Sequence, residues 1–150
     1  MVEIELADSN DRPAIEALLT SNGLPLAGLE LASELTLTAR ADGTLLGCAA
    51  IEPHGSVGLL RSVCVAEAER GTGLGRRLVA EAESLAVKAG IDELYLLTET
   101  AAAWFPRLGY GAADRGAVPS ELAASPEFTG ACPDSAVLLG KRLTGEPASA

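Results

Sequence analysis

Positive charge is scarce in this sequence: nine Arg and two Lys stand against 21 Asp and Glu, a formal net charge of −10 over 150 residues. A surface of that sign repels a phosphate backbone, and no basic stripe interrupts it, so nucleic acid is not an expected partner. Long apolar runs are also missing. The longest are a handful of residues, far below the roughly 20 that cross a bilayer, and the first six residues read as a strand rather than a signal peptide. A soluble, cytoplasmic protein with no membrane partner is therefore expected. Cysteine is sparse: Cys48, Cys64 and Cys132 are an odd number with no CxxC spacing and no histidine beside them. Neither a disulfide framework nor a metal site is suggested. No internal period marks a repeat protein.

What is present is globular in kind: 48% apolar residues, 21% charged, 16 Gly and 8 Pro. The length suits one core, and we expect a single domain over 1–143 with a flexible tail over 144–150. Alternation predicts a strand at 2–6. Asp8 then caps a helix over about 9–22, with Pro13 in its first turns and Asn22-Gly23 as its stop. Residues 23–32 read as a flap or a short helix. Strands follow at 35–40, 45–52 and 56–66, separated by Asp42-Gly43 and by a turn at Pro53-His54-Gly55. Leu74, Leu78, Val79, Ala82, Leu85 and Ala86 recur at helical spacing up to Ala89-Gly90. A buried strand at 93–98 leads to a short helix at about 99–107, a strand from 111 to 115, a helical insert at 119–125 and a last strand at 135–143. The fold class is α/β, with one mixed, mainly antiparallel sheet and helices on both faces.

The most informative stretch is a strand, 59–65, feeding a glycine-rich loop that opens the long helix. Backbone N–H groups at a helix start lack intrahelical partners and carry the positive end of the peptide dipoles, so they hold a phosphate without a lysine. Gly71, Gly73 and Gly75 allow close approach, and Arg70, Arg76 and Arg77 add cations around the mouth. The loop is not a P-loop, because Arg76 and Arg77 stand where Lys and a hydroxyl are needed. Nor is it a dinucleotide fingerprint, because it reads GxGxG after an antiparallel meander.

Arg70, Gly73 and Gly75 resemble the [Q/R]xxGxG/A pattern of the GNAT N-acetyltransferase family. Trp104-Phe105-Pro106-Arg107-Leu108-Gly109-Tyr110 resembles that family's FYxRLGF segment, in the same chain order. The resemblance implies a GNAT-like fold, acetyl-CoA as co-substrate, no metal, and an amine as acceptor. It assigns the cofactor to main-chain groups of Val63, Cys64 and Val65 and to Arg70, Gly71, Thr72, Gly73, Leu74, Gly75 and Arg76. Within the family, 59–63, 96–101, 125–128 and 132–137 look closest to arsenic-resistance-type enzymes acting on phosphinothricin- or arsinothricin-like amino acids. A small amino-acid-like substrate follows from that likeness, with Thr98 as one substrate contact; a homodimer is left open. One residue departs from the family: Phe105 stands where many members carry the tyrosine that protonates the departing thiolate. A non-catalytic acetyl-CoA sensor and a protein or peptide N-acetyltransferase are the alternatives.

The chemistry itself demands a base for the ammonium, a donor for the oxyanion and a proton for the thiolate. The Val65 region supplies candidate oxyanion amides. Glu52 and Glu99, each at a strand end, are the candidate bases, acting through water, against plainer readings as an exposed strand end and a helix cap. His54, the single histidine, reads as a turn residue. Arg61, an arginine inside an apolar strand, is costly without an anion: it faces a substrate carboxylate, phosphinate or arsenate-like group, forms an internal salt bridge, or sits at an exposed strand position. Cys48 and Cys64 fall on neighbouring strands and read as small apolar residues rather than a metalloid site.

Overall fold

Turn chemistry and side-chain alternation build the first half of the sheet. In the computed structural model, which describes residues 2–126, 128 and 136–143, Asp42-Gly43 closes β2 (Thr36–Ala41) onto β3 (Thr44–His54). A second two-residue turn joins β3 to β4 (Val57–Val65), and β1 (Glu3–Leu6) lies antiparallel beside β2. His54 is therefore not a turn residue as expected. It pairs with Val57 as the last residue of β3, because Gly55 and Ser56 suffice for the connection.

Helices cover both faces. Asp8 accepts the Asn10 N–H at 2.8 Å and Asp11 accepts the Asp8 N–H at 2.9 Å, a reciprocal cap that starts a 3-10 turn and then α1 (Arg12–Ser21). Ile15 and Leu19 of α1 pack with Leu29, Cys48, Ala50 and Cys64 on one face. On the other, α2 (Leu74–Lys88) buries Leu74, Leu78, Val79, Ala82 and Ala86 against Ala49, Ile51 and Leu60. It ends where the Ile91 N–H bonds to Ala86 O and the Gly90 N–H to Val87 O, at 2.9 and 3.1 Å, satisfying carbonyls that the helix leaves open.

A crossover of this kind delivers a parallel neighbour: β5 (Glu93–Thr98) lies parallel to β4. Then β6 (Gly111–Ala112) and β7 (Val137–Arg142) complete a seven-stranded sheet in the order β1-β2-β3-β4-β5-β7-β6, antiparallel everywhere else. A short helix, α3 (Ser120–Ala123), lies between them in sequence. The expected helix at 99–107 is reduced to a 3-10 turn, Phe105–Leu108, ended by Gly109. The expected strand at 111–115 stops after two residues because the Asp114 carboxylate turns the chain onto the Gly116 N–H at 2.9 Å. Cys132 and the tail over 144–150 lie outside the described residues. Among those described, no helix is long and apolar enough to cross a membrane.

One irregularity sits in the middle of the sheet. Leu60 faces α2 and Cys64 faces α1, although an even spacing in a regular strand would put both on one side. The register accounts for it: Cys48 pairs with Cys64 but Ala50 with Arg61, so β4 carries one extra residue, and Ser62 takes φ 59°. This is a β-bulge. The Cys48 thiol donates to Ser62 O at 3.2 Å, giving a partner to a carbonyl within the irregular stretch.

Candidate active site

β4 and β5 pair at only three positions, Val57 with Glu93, Gly58 with Leu94 and Leu59 with Tyr95. Both strands continue, β4 to Val65 and β5 to Thr98, without further mutual pairing. The sheet forks there. A cavity of about 160 Å³ fills the fork, lined by β4 residues from Leu60 to Val63, the chain from Leu96 to Ala101, and the turn after α1 at Asn22 to Pro25. It shares Val63, Ala101 and Phe105 with a second, more open cleft of about 540 Å³ that runs along the rest of β4 to the glycine loop.

The loop glycines have two different reasons. Gly71 and Gly73 take φ 83° and 88°, a region in which a side chain is strained, and no atom would crowd a Cβ at either. Gly75 has ordinary backbone, but a Cβ there would stand 3.3 Å from two ring carbons of Trp104. The third glycine thus admits an aromatic wall. Beyond it, the first α2 bond after the left-handed Gly73 runs from the Arg77 N–H to Gly73 O at 3.1 Å, and no side chain caps the helix. Its leading amides and dipole face the cleft mouth.

Of the residues expected to hold the cofactor, Val63, Cys64, Val65, Arg70, Gly71, Gly73, Gly75 and Arg76 line this cleft. Thr72 and Leu74 do not. The Thr72 hydroxyl bonds back to Glu69 O at 2.6 Å, and the Leu74 side chain is buried in the core, so each can offer only its main chain. Arg70 is tied to Asn22 Oδ1 at the end of α1. Trp104 and Phe105 form the opposite wall, with ring centroids 4.8 Å apart, and Phe105 meets Tyr110 edge-on at 5.6 Å. Tyr110 is buried; its hydroxyl donates to Glu83 Oε2 at 2.8 Å, and burial followed by the Glu83 charge pushes its pKa up. Burial likewise raises the Cys48 thiol to about 12 and raises Cys64, whose rise is opposed by Arg70.

The acceptor side is organised by a buried charge network. Arg61 and Glu52 have no exposed side-chain surface and form an ion pair at 3.3 Å. Arg61 Nε also donates to Ser62 Oγ and Nη2 to Pro25 O, both at 3.3 Å. Glu52 in turn accepts Ser125 Oγ–H at 3.0 Å and lies 3.0 Å from His54 Nε2. The internal salt bridge that the sequence left open for Arg61 is thus formed. Glu99 is exposed and lines the fork cavity; Thr98 lines it too, with its hydroxyl oxygen accepting the Ala101 N–H at 2.9 Å. Sequence reasoning missed the Glu52–His54–Ser125 contacts, and it gave no role to Arg107, which also lines the loop cleft.

A forked parallel pair leading into a glycine-opened helix is the architecture of an acyltransferase domain that takes an acyl-CoA thioester. Residues 6–110 match the sequence model of the Acetyltransferase (GNAT) family, and the chain belongs to that family, whose enzymes use acetyl-CoA as co-substrate. It is 37% identical over 71 residues to the amino-acid acetyltransferase of Ralstonia nicotianae, which is 46% of this chain and 16% of that protein. N-acetylglutamate synthase from Neisseria gonorrhoeae, complexed with coenzyme A and N-acetyl-glutamate, superposes with a TM-score of 0.82 at 27% identity, over 96% of this chain and 35% of that one. Rv2747 from Mycobacterium tuberculosis, in complex with CoA and NLQ, shares the fold at a TM-score of 0.80 and 21% identity, over 95% and 99% of the two chains. This chain spans about a sixth of the Ralstonia relative and about a third of the Neisseria one.

Proposed function

We propose that this protein transfers the acetyl group of acetyl-CoA to the amine of a small amino-acid-like substrate, a class that includes phosphinothricin- and arsinothricin-type analogues. The observation that carries the reading is the fork: a 160 Å³ cavity for the acceptor, smaller than drug-sized pockets, opening into a larger cleft that ends at bare helix amides. In this reading the thioester lies at the fork and the pantetheine arm runs along Val63, Cys64 and Val65. The diphosphate meets the amides around Gly71, Gly73 and Gly75, with Arg70 at the side.

The acceptor ammonium gives up one proton, the neutral nitrogen attacks the thioester carbon, and the C–S bond breaks as the nitrogen sheds its second proton, which balances the one taken by the thiolate, to leave the acetylated amine and CoA. Glu99, which opens on the cavity, is the better placed of the two carboxylates to take that proton through water. Glu52, sealed against Arg61, holds a guanidinium that lies beneath the acceptor cavity with no exposed surface, so its positive charge would act on a substrate carboxylate or phosphinate through the field rather than by direct contact. Amides of the bulged strand near Val65 face the developing oxyanion. The departing thiolate takes its proton from water or from a hydroxyl at the fork: Ser62 and Thr98 each accept a hydrogen bond, which leaves their own hydrogens free to donate. A cytoplasmic setting suits this chemistry and the free thiols of Cys48 and Cys64.

Phe105, which brings no hydroxyl to the cleft wall, favours a second reading as an acetyl-CoA sensor. Release of free CoA thiol, followed with acetyl-CoA and a panel of free amino acids, phosphinothricin-like analogues, polyamines and peptides, separates the possibilities. Turnover with free amino acids is expected. Binding of CoA with no turnover on any amine makes the protein a sensor, and turnover on peptides alone makes it a protein acetyltransferase.

A further inference from the structure

We propose that Arg76 and Arg107 form a second phosphate subsite, separate from the loop amides, which reads the 3′-phosphate of coenzyme A. The proposal rests on the coenzyme-binding reading above and adds to it a choice between phosphorylated and dephosphorylated forms of the coenzyme.

The cavities occur in a row. The fork cavity leads to the loop cleft, and the loop cleft leads past the first turn of α2 into a third cavity of about 240 Å³. Arg76 and Arg107 are the two residues that line both the second and the third. Coenzyme A has the same linear order: a neutral thioester and amide arm, a diphosphate, and then a ribose bearing one more phosphate. With the first two parts at the fork and the loop, the ribose emerges between these guanidinium groups.

Their electrostatics point the same way. Carboxylates outnumber cations almost two to one in this chain, and Arg12, Arg40 and Arg61 are held in ion pairs. Arg70, Arg77 and Arg115 donate hydrogen bonds to their neighbours. The side chains of Arg76 and Arg107 are exposed and make neither kind of contact among the described residues. Arg76 also stands in the first turn of a 15-residue helix that has no acidic residue there, where a cation opposes the peptide dipoles unless an anion sits in front of it. The carboxylate lining the third cavity, Glu83, is already occupied. Lys141 Nζ reaches its two oxygens at 3.1 and 3.0 Å and the Tyr110 hydroxyl donates at 2.8 Å, and Glu69, which lines the loop cleft with the two arginines, forms no ion pair with either.

The test is equilibrium titration of CoA and of 3′-dephospho-CoA into the wild-type chain, Arg76→Ala, Arg107→Ala and the remote control Lys88→Ala. The signal is the fluorescence of Trp104, the single tryptophan, on the cleft wall. Wild type and Lys88→Ala are expected to bind CoA about tenfold more tightly than its dephosphorylated form, as for a charge-assisted hydrogen bond or two. Arg107→Ala and Arg76→Ala should each lower the affinity for CoA severalfold and leave that for 3′-dephospho-CoA within about twofold. Equal affinity of the wild type for the two ligands, or equal weakening of both ligands in the variants, overturns this subsite while the coenzyme reading stands. Failure of either ligand to bind the folded wild-type chain overturns both.

Discussion

Arg61 is a guanidinium with no exposed side-chain surface, and Glu52, with which it forms an ion pair, is equally buried. Taking two charges out of water is costly, and the pair persists because each end finds further partners: Pro25 O and Ser62 for the arginine, Ser125 and His54 for the carboxylate. Removing the Glu52 carboxylate takes an anion away from a buried guanidinium. Glu52→Ala is therefore expected to lower stability by about 3–5 kcal/mol, whereas Glu52→Leu combined with Arg61→Met recovers most of that loss. Urea midpoints of the two variants check it, and a double variant no more stable than the single one contradicts it. Arg61 was legible in the sequence as a misfit in an apolar strand, whereas Glu52, expected as a base or an exposed strand end, is buried. Their meeting was not legible, because it depends on a strand register that the bulge at Ser62 shifts. His54 was misread for a related reason: Pro53-His54-Gly55 looks like a turn locally, but cross-strand pairing extends β3 to His54, two residues beyond the expected end at Glu52.

At the scale of elements, the bulge decides which groups of β4 reach the cleft. It changes the face on which Cys64 lies relative to Leu60 and brings Ser62 to φ 59°, a conformation that a β-branched residue tolerates poorly. Ser62→Val should cost about 1–2 kcal/mol and slow acetyl transfer, while Ser62→Gly, which relieves the backbone, should stay close to wild type in stability. Denaturant midpoints with turnover rates decide it; a Val variant as stable and active as wild type would show that the bulge can move elsewhere. Regular elements were otherwise legible. β5 begins and ends where a buried strand was expected after the helix stop at Gly90, and α2 follows its apolar stripe. The fork was not, since nothing in the residues of β4 and β5 announces that pairing stops at Leu59. The 99–107 stretch lost most of its helix because the Thr98 hydroxyl and Pro106 engage the chain locally in tighter turns.

For the molecule as a whole, buried ionisable groups set the alkaline limit. In the unfolded chain the Cys48 thiol loses its proton near 9.0, whereas in the fold burial and the neighbouring Cys64 hold it to about 12. Between those values the unfolded state carries fewer protons, so stability is full below the lower one and falls as pH rises through the window. Tyr110 is raised as well, from 10.0, and adds a fall in the same direction. The urea midpoint is expected to be clearly lower at about pH 10.5 than at about pH 8, and Cys48→Ser, which keeps a donor for Ser62 O, should flatten part of that slope. A midpoint that does not change across this range would contradict the assignment. The fork has a consequence at this scale too. It leaves two strand edges without mutual pairing in the interior of a seven-stranded sheet, each with the hydrogen-bonding appetite that drives edge-to-edge pairing. A slender, extended molecule with amides of its own could satisfy them, standing in for the strand rungs that the fork removes.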